Sequence, residues 1–420
     1  MLSRRQLLWS GAGLCTLGAL PRGIARASGT ASRKRLIYVY AHGAWDPTYT
    51  FDPKLGNPDI HGPEDDPGPR EPGEVESMET IHGHRVAVNE VQRPQVLRFF
   101  EDWGPQVLSI VGVTIGGIAH YPNRLRLLTG GTDRSKPDLV SILGHHTEVT
   151  EPFGAIDLSG WAFHGAYGTT TSRAGANWQL RTLLRPGEEG LGKNLATDPV
   201  EDHLVEEYLR RRAQARTVEA PLERWPVDLS DAIDRLEQLR QHRTELATLF
   251  DRAPGRADDN LDLAVDLIAG GWARSVLVDS QYYFDTHDNN SDQSGINDNL
   301  FGSLGRMLTR MRDLGILDDT LVVVSSEMTR SLQLNRTNGK DHWPLLATLL
   351  VGGGTVGGRR LGQTDDRQSP EPVNLVTGAL DANGEIPAYN NLYAGILDHL
   401  GIDVEAHMPG VVPLGGIGSG

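Results

Sequence analysis

Residues 320–330 read Thr-Leu-Val-Val-Val-Ser-Ser-Glu-Met-Thr-Arg. Leu321 to Val324 is an unbroken apolar run rich in β-branched side chains, which reads as a buried strand of the kind found inside parallel sheets. Glu327 follows almost at once, at the strand's carboxyl end. In open α/β sheets that edge is where ligands bind. Two other segments close in carboxylate and imidazole: FDTHDNN, with Asp285 and His287, and NGKDHW, with Asp341 and His342. Any one of these residues alone is an ordinary capping or loop group. Converging on one sheet edge, a mixed Asp/Glu/His set suits Zn, Mn, Mg or Ca rather than a soft metal.

Working outward, Arg35 to Ala41 reads as the first strand, and further apolar runs fall at 106–111, 275–278 and 346–351. Helical periodicity marks 200–216, 228–250, the stretch from 259, 296–314 and 391–400. Strands alternating with helices imply a mostly parallel sheet covered on both faces. The segment VGGGTVGG lacks the Lys-Ser/Thr ending of a phosphate loop and reads as a closely packed turn. From Pro47 to Pro94 the chain is rich in Pro, Gly and acids, with no helical or strand period. The reading is one large domain, residues 28–420, with an irregular insertion at 47–94.

Residues 1–27 read as an address. Ser3-Arg4-Arg5-Gln6-Leu7-Leu8 is a twin-arginine pattern, a short apolar stretch follows, and Ala25-Arg26-Ala27 is a small-x-small cleavage site. The expectation is export through the twin-arginine machinery to the periplasm or beyond, with no stable membrane span in the mature protein. The single cysteine, Cys15, lies inside this leader, so disulfides, thiolate ligands and a cysteine nucleophile are excluded from the mature chain. The net charge of −15, more negative once the leader's arginines are removed, argues against nucleic-acid binding.

Residues 120–131, HYPNRLRLLTGG, are similar to the sulfatase signature, with Pro122, Arg124, Leu127, Leu128, Thr129 and Gly130 in register. His120 occupies the position that sulfatases convert to formylglycine, so a formylglycine mechanism is not available. More widely, Gly43-Ala44-Trp45-Asp46, Phe284 to His287, Leu321 to Arg330 and Gly339 to Trp343 resemble the DUF1501 family, within the alkaline phosphatase-like superfamily. That resemblance implies a three-layer α/β/α sandwich, one or two divalent metals at the sheet's carboxyl edge, and hydrolysis or transfer of phosphate or sulfate esters. The nearer family implies no activity of its own.

Carried over by position, the resemblance gives Asp46, Asp285, His287 and Glu327 as metal ligands. Met328 stands where a ligand histidine is common, and Asp341 and His342 restore the imidazole from a neighbouring segment. His120, near a helix start, has four readings: ligand, phosphate-contacting donor, nucleophile or structural residue. Arg124 either holds an anionic oxygen or forms a surface ion pair. His42 is a supporting residue or simply packed, and His145-His146 and His82-Gly83-His84 read as structural. The expected function is metal-dependent hydrolysis of an anionic ester, phosphate before sulfate. The alternative is a non-catalytic secreted binding or scaffold protein on a degenerate hydrolase fold.

Overall fold

Both faces of the first strand, β1 (Arg35–Tyr40), lie inside the molecule. Ile37 and Val39 point into one apolar core, and Leu36, Tyr38 and Tyr40 into another. A strand apolar on both sides requires a covering layer on each face. The computed structural model describes residues 34–67, 71–146, 149–168, 170–174, 199–219, 225–250 and 257–418. The expected leader, residues 1–27, lies outside them.

After β1 come a hairpin of β2 (Ser77–Ile81) and β3 (His84–Val88), helix α1 (Pro94–Trp103) and β4 (Val107–Thr114). Next are α2 (His120–Thr129), α3 (Leu139–His145), β5 (Phe153–Asp157) and β6 (Thr171–Arg173). The middle of the chain is helical: α4 (Pro199–Glu219), α5 (Trp225–Gln241), α6 (Arg243–Leu249) and α7 (Ala257–Ala269). Then follow β7 (Ala273–Asp279), α8 (Asp292–Asp313), β8 (Thr320–Ser325), β9 (Thr329–Leu334) and β10 (Lys340–Trp343). The last elements are β11 (Leu345–Gly352), β12 (Arg359–Leu361), α9 (Tyr389–His399) and α10 (Val404–His407).

Eight strands form the central sheet in the order β12-β4-β11-β8-β1-β7-β5-β6. In it β11 runs against its neighbours β4 and β8, and the remaining pairings are parallel. Helices α1, α7 and α8 close one core, and α2, α3 and α9 the other. This is a three-layer α/β/α fold on a mostly parallel sheet, as the sequence implied.

The register fixes where a site can form. Tyr40 pairs with both Asp279 and Ser325, so the chain leaves β1, β7 and β8 at one edge. Strand β4 ends there too and feeds α2, while β10 and β11 arrive from the same side. Five separate segments therefore meet at the carboxyl edge of the parallel strands.

Two expectations change. The 47–94 stretch contains the β2–β3 hairpin, turned by His82 (φ 47°) and Gly83 (φ 83°), both left-handed as a type I′ turn requires. Strand β2 is largely exposed, so it carries no apolar alternation from which a strand could be read. The single helix expected over 228–250 is broken at His242 (φ −110°, ψ 17°), whose ring packs edge-on against Trp272 at 5.0 Å.

Candidate metal centre

Asp285 is the hub of the edge. It follows β7 on a loop that Gly43 approaches so closely that a Cβ on Gly43 would lie 2.6 Å from the Asp285 nitrogen. Gly43 has φ 109°, so glycine is required there on both counts. Asp285 Oδ1 lies 3.2 Å from His287 Nε2 and 3.3 Å from His342 Nε2, and those two nitrogens are 3.0 Å apart. Asp285 Oδ2 lies 3.3 Å from His120 Nε2.

Each of these three histidines has its other ring nitrogen engaged. His342 Nδ1 donates to the Ile118 carbonyl at 2.8 Å, and His120 Nδ1 donates to Glu327 Oε1 at 2.6 Å. His287 Nδ1 faces Asp341 Oδ1 at 3.4 Å. For His120 and His342 these partners assign the tautomer: with Nδ1 carrying the proton, each of those two Nε2 atoms presents a lone pair. His120, Asp285 and His342 bring ligand atoms within 4.8 Å of one another, His287 lies beside His342, and His120 Nε2 is buried with no hydrogen-bond partner. Without an ion, His287 Nε2–H can donate to the His342 Nε2 lone pair across their 3.0 Å separation. A cation could take the place of that proton, since zinc–nitrogen bonds of about 2.0–2.1 Å give ligand–ligand edges of roughly 3.3 Å, close to the Asp285–imidazole distances. Histidines whose second nitrogen donates to a carboxylate or carbonyl are the usual form of such ligands. The donor set fits a divalent ion.

Glu327 is fully buried beneath His120. Its oxygens accept the Gly43 N–H at 3.1 and 3.3 Å, the Ser326 hydroxyl at 3.1 Å and the His120 N–H. With these donors around it, Glu327 is a carboxylate that orients His120. The Glu327 hydrogen bond raises the His120 pKa against the effect of burial. Burial alone would raise Glu327 itself, but His120 outweighs that and lowers it. Burial lowers His342, which keeps its imidazole neutral. Burial also works to raise Asp285, yet the Arg330 guanidinium bonded to it holds the carboxyl far below its ordinary range.

Arg330, itself fully buried, braces the whole edge. It donates to the carbonyls of Gly43, Ala44, Phe284 and Lys340 and to Asp285 Oδ1 at 2.6 Å. The Tyr283 hydroxyl donates to Asp285 Oδ2 at 3.0 Å.

Of the residues singled out in the sequence, the structure gathers His120, Asp285, His287 and His342, with Glu327 and Asp341 directly behind them. Asp46 is not in that group. It is fully buried and bonded to Lys340 Nζ at 2.7 Å, to Asn290 at 3.1 Å and to the Thr48 hydroxyl at 2.6 Å. Met328 does not face the site either; it is buried in the core with its sulfur against Asn123 Nδ2. Arg124 lies one helical turn after His120, its guanidinium 4.0 Å from the Trp161 ring centroid. It has no hydrogen bond or ion pair among the described residues, and its Nε is buried without a partner. His42 packs against the rings of His120, Trp161 and Tyr283, near enough to His120 and Glu327 for a second grouping of ligand atoms. His84 is structural, bonded to Ser109 Oγ and to the Gly104 carbonyl.

Sequence reasoning assigned no role to Arg330, Lys340 or Tyr283. Arg330 satisfies mainly backbone carbonyls, which leave no mark in a sequence.

No curated protein matches the chain in sequence. Among solved structures it is similar to a protein in the alkaline phosphatase superfamily from Vibrio parahaemolyticus, at 10% identity over 90% of this chain and 69% of that one, TM-score 0.39. It is also similar to the lipoteichoic acid synthase LtaP from Listeria monocytogenes, at 11% identity over 92% and 75%, TM-score 0.36. A third is the phosphonate monoester hydrolase of Agrobacterium radiobacter, at 11% identity over 90% and 78%, TM-score 0.33. These likenesses concern the layout of the chain alone. The family described as "Protein of unknown function (DUF1501)" matches residues 197–411, more than half of the chain, and the protein belongs to that family.

Proposed function

We propose that the protein is an exported, metal-dependent hydrolase of an anionic ester, phosphate ahead of sulfate. The observation that carries this reading is the convergence of three histidine Nε2 atoms on Asp285, with the Nδ1–H of His120 and of His342 engaged elsewhere. Three imidazoles and one carboxylate favour zinc or manganese over the harder magnesium and calcium, which take oxygen ligands. When bound, the ion supplies Lewis-acid polarisation of an ester oxygen and activation of water.

The chain's own groups account for substrate capture. His120 opens α2, so the first N–H groups of that helix and its dipole favour an anion beside the ligands. Arg124, over the Trp161 ring and unpaired among the described residues, offers a planar fork to the ester's non-bridging oxygens. Export of the chain by the twin-arginine route is proposed on Arg4-Arg5 and the Ala25-Arg26-Ala27 site.

Elemental analysis of purified protein tests the reading, followed by a screen of aryl phosphates and sulfates. We expect one zinc or manganese per chain, turnover lost on chelation and restored by the ion, and neither in Asp285→Ala or His342→Ala. Metal-free, chelator-indifferent and inert protein would sink the proposal. A bound ion without turnover would instead favour the non-catalytic alternative.

A further inference from the structure

A strip of aromatic rings and guanidiniums leads away from the site along the start of α2. Tyr121, next to His120 and 36% exposed, carries two arginines on its ring: Arg124 at 5.4 Å and Arg134 at 4.6 Å from the centroid. Arg124 also lies over Trp161, and Phe163 packs edge-on to Tyr121 at 6.2 Å. Neither arginine has a hydrogen bond or ion pair among the described residues, although the chain as a whole carries a net charge of −15. The nearest acid in sequence, Asp133, is turned back to accept the Ser135 N–H at 2.8 Å.

In so acidic a protein, surface arginines find carboxylates easily, as Arg306, Arg310 and Arg360 do. Two adjacent unpaired guanidiniums are therefore an arrangement that keeps cationic N–H edges free. Cation–π contact with the rings restrains the guanidiniums without using their N–H groups, which lowers the entropic cost of binding an oxyanion. Arg124 is close enough to His120 to serve the ester itself. Arg134 is a step further out and has no such duty.

We propose that the substrate bears a second anionic group, a carboxylate, sulfate or phosphate separate from the ester that is cleaved, and that Arg134 on its Tyr121 platform reads it. This rests on the hydrolase reading for the position of the first group. A neutral alcohol leaving group would leave the outer guanidinium idle, so a polyanionic ester is the substrate class that uses both.

Binding separates this inference from the hydrolase reading. Benzenesulfonate and benzene-1,3-disulfonate, neither of which can be hydrolysed, are titrated against the full metal-loaded protein by calorimetry. The disulfonate should bind about tenfold more tightly at low salt, as one added charge-assisted contact allows. That preference should shrink as salt rises. Arg134→Gln should bring the ratio to about one while benzenesulfonate binding stays unchanged; 3-sulfobenzoate in place of the disulfonate shows whether a carboxylate serves as the second group. Tyr121→Leu, which keeps Arg134 but removes its platform, should lose part of the preference. With aryl phosphates matched except for a pendant carboxylate, the effect should appear in KM and not in kcat. A ratio near one in the wild type, or a preference that Arg134→Gln leaves intact, overturns the inference. Loss of turnover with the binding ratio preserved overturns only the hydrolase reading.

Discussion

Glu327 and His120 show how one buried carboxylate orients an imidazole at the site. Glu327 receives four short contacts from the protein, one of them the His120 Nδ1–H. That bond fixes the ring's tautomer and aims Nε2 at Asp285. Removing such an outer partner ordinarily costs about 10- to 100-fold in metal affinity. Glu327→Gln, which keeps the shape but loses the charge, is expected to fall in that range with its fold intact, read by competition with a chromophoric chelator. An unchanged dissociation constant would mean that Glu327 does not set the ligand geometry. Arg330 acts at the same scale through backbone carbonyls. Arg330→Met leaves the carbonyls of Gly43, Ala44, Phe284 and Lys340 and the charge of Asp285 without their donor. A loss of roughly 3–5 kcal/mol is expected for a buried charge stripped of its partner. It should appear as a fall in Tm of about 5 °C, by calorimetry.

At the scale of elements, α9 carries a titration remote from the site. His399 closes this helix and is buried, and burial with the nearby Lys34 ammonium pushes its pKa down to about 4. In the unfolded chain the same ring titrates near 6.5. A folded pKa below the unfolded one means that the unfolded state takes up the proton first. The stability from keeping His399 neutral is thus complete above about pH 6.5 and is lost as pH falls toward 4. The loss is roughly 2 kcal/mol after allowance for partial solvent screening. His399→Gln should therefore flatten the pH dependence of urea unfolding between pH 7 and 4.5 relative to the wild type. Parallel curves for the two proteins would show that His399 does not titrate differently on folding. The β9–β10 pair is an element of another kind: short and partly exposed, it brings His342 and the carbonyl of Lys340 within reach of Asp285 and Arg330. Its sequence has no apolar alternation, and its place is set by hydrogen bonds that cross to the Phe284–His287 loop.

For the molecule as a whole, ion binding and folding should be linked. The ligands come from segments after β4, β7 and β9, so an ion that binds only the folded chain ties three distant stretches together. Its stabilisation at free concentrations about a thousand times Kd is roughly 4 kcal/mol. Chelation should lower the Tm of the wild type, and re-addition of zinc or manganese should restore it. Asp285→Ala should show no response to either; a response equal to the wild type's would place the ion elsewhere.

Leu321 to Val324, β1 and the apolar runs of β4, β7 and β11 were legible because strands buried on both faces must be apolar at every position, and that is a local property of the sequence. The same logic placed Glu327 at the end of such a run, while Asp285, His287 and His342 were read from the carboxylate and imidazole content of their segments. Local signals end where partners are far apart along the chain. Asp46 follows a strand as Glu327 does, and nothing near it in sequence announces that Lys340 will neutralise it inside the core. Glu327 read as a ligand, and only the fold shows that its oxygens also accept from Gly43, Ser326 and His120. The sequence by itself determined the sheet, its two covering layers and the edge where charged side chains collect, because burial acts on each residue separately. The tertiary structure alone decided which of those side chains meet, because pairing depends on distances between segments that the chain brings together only on folding.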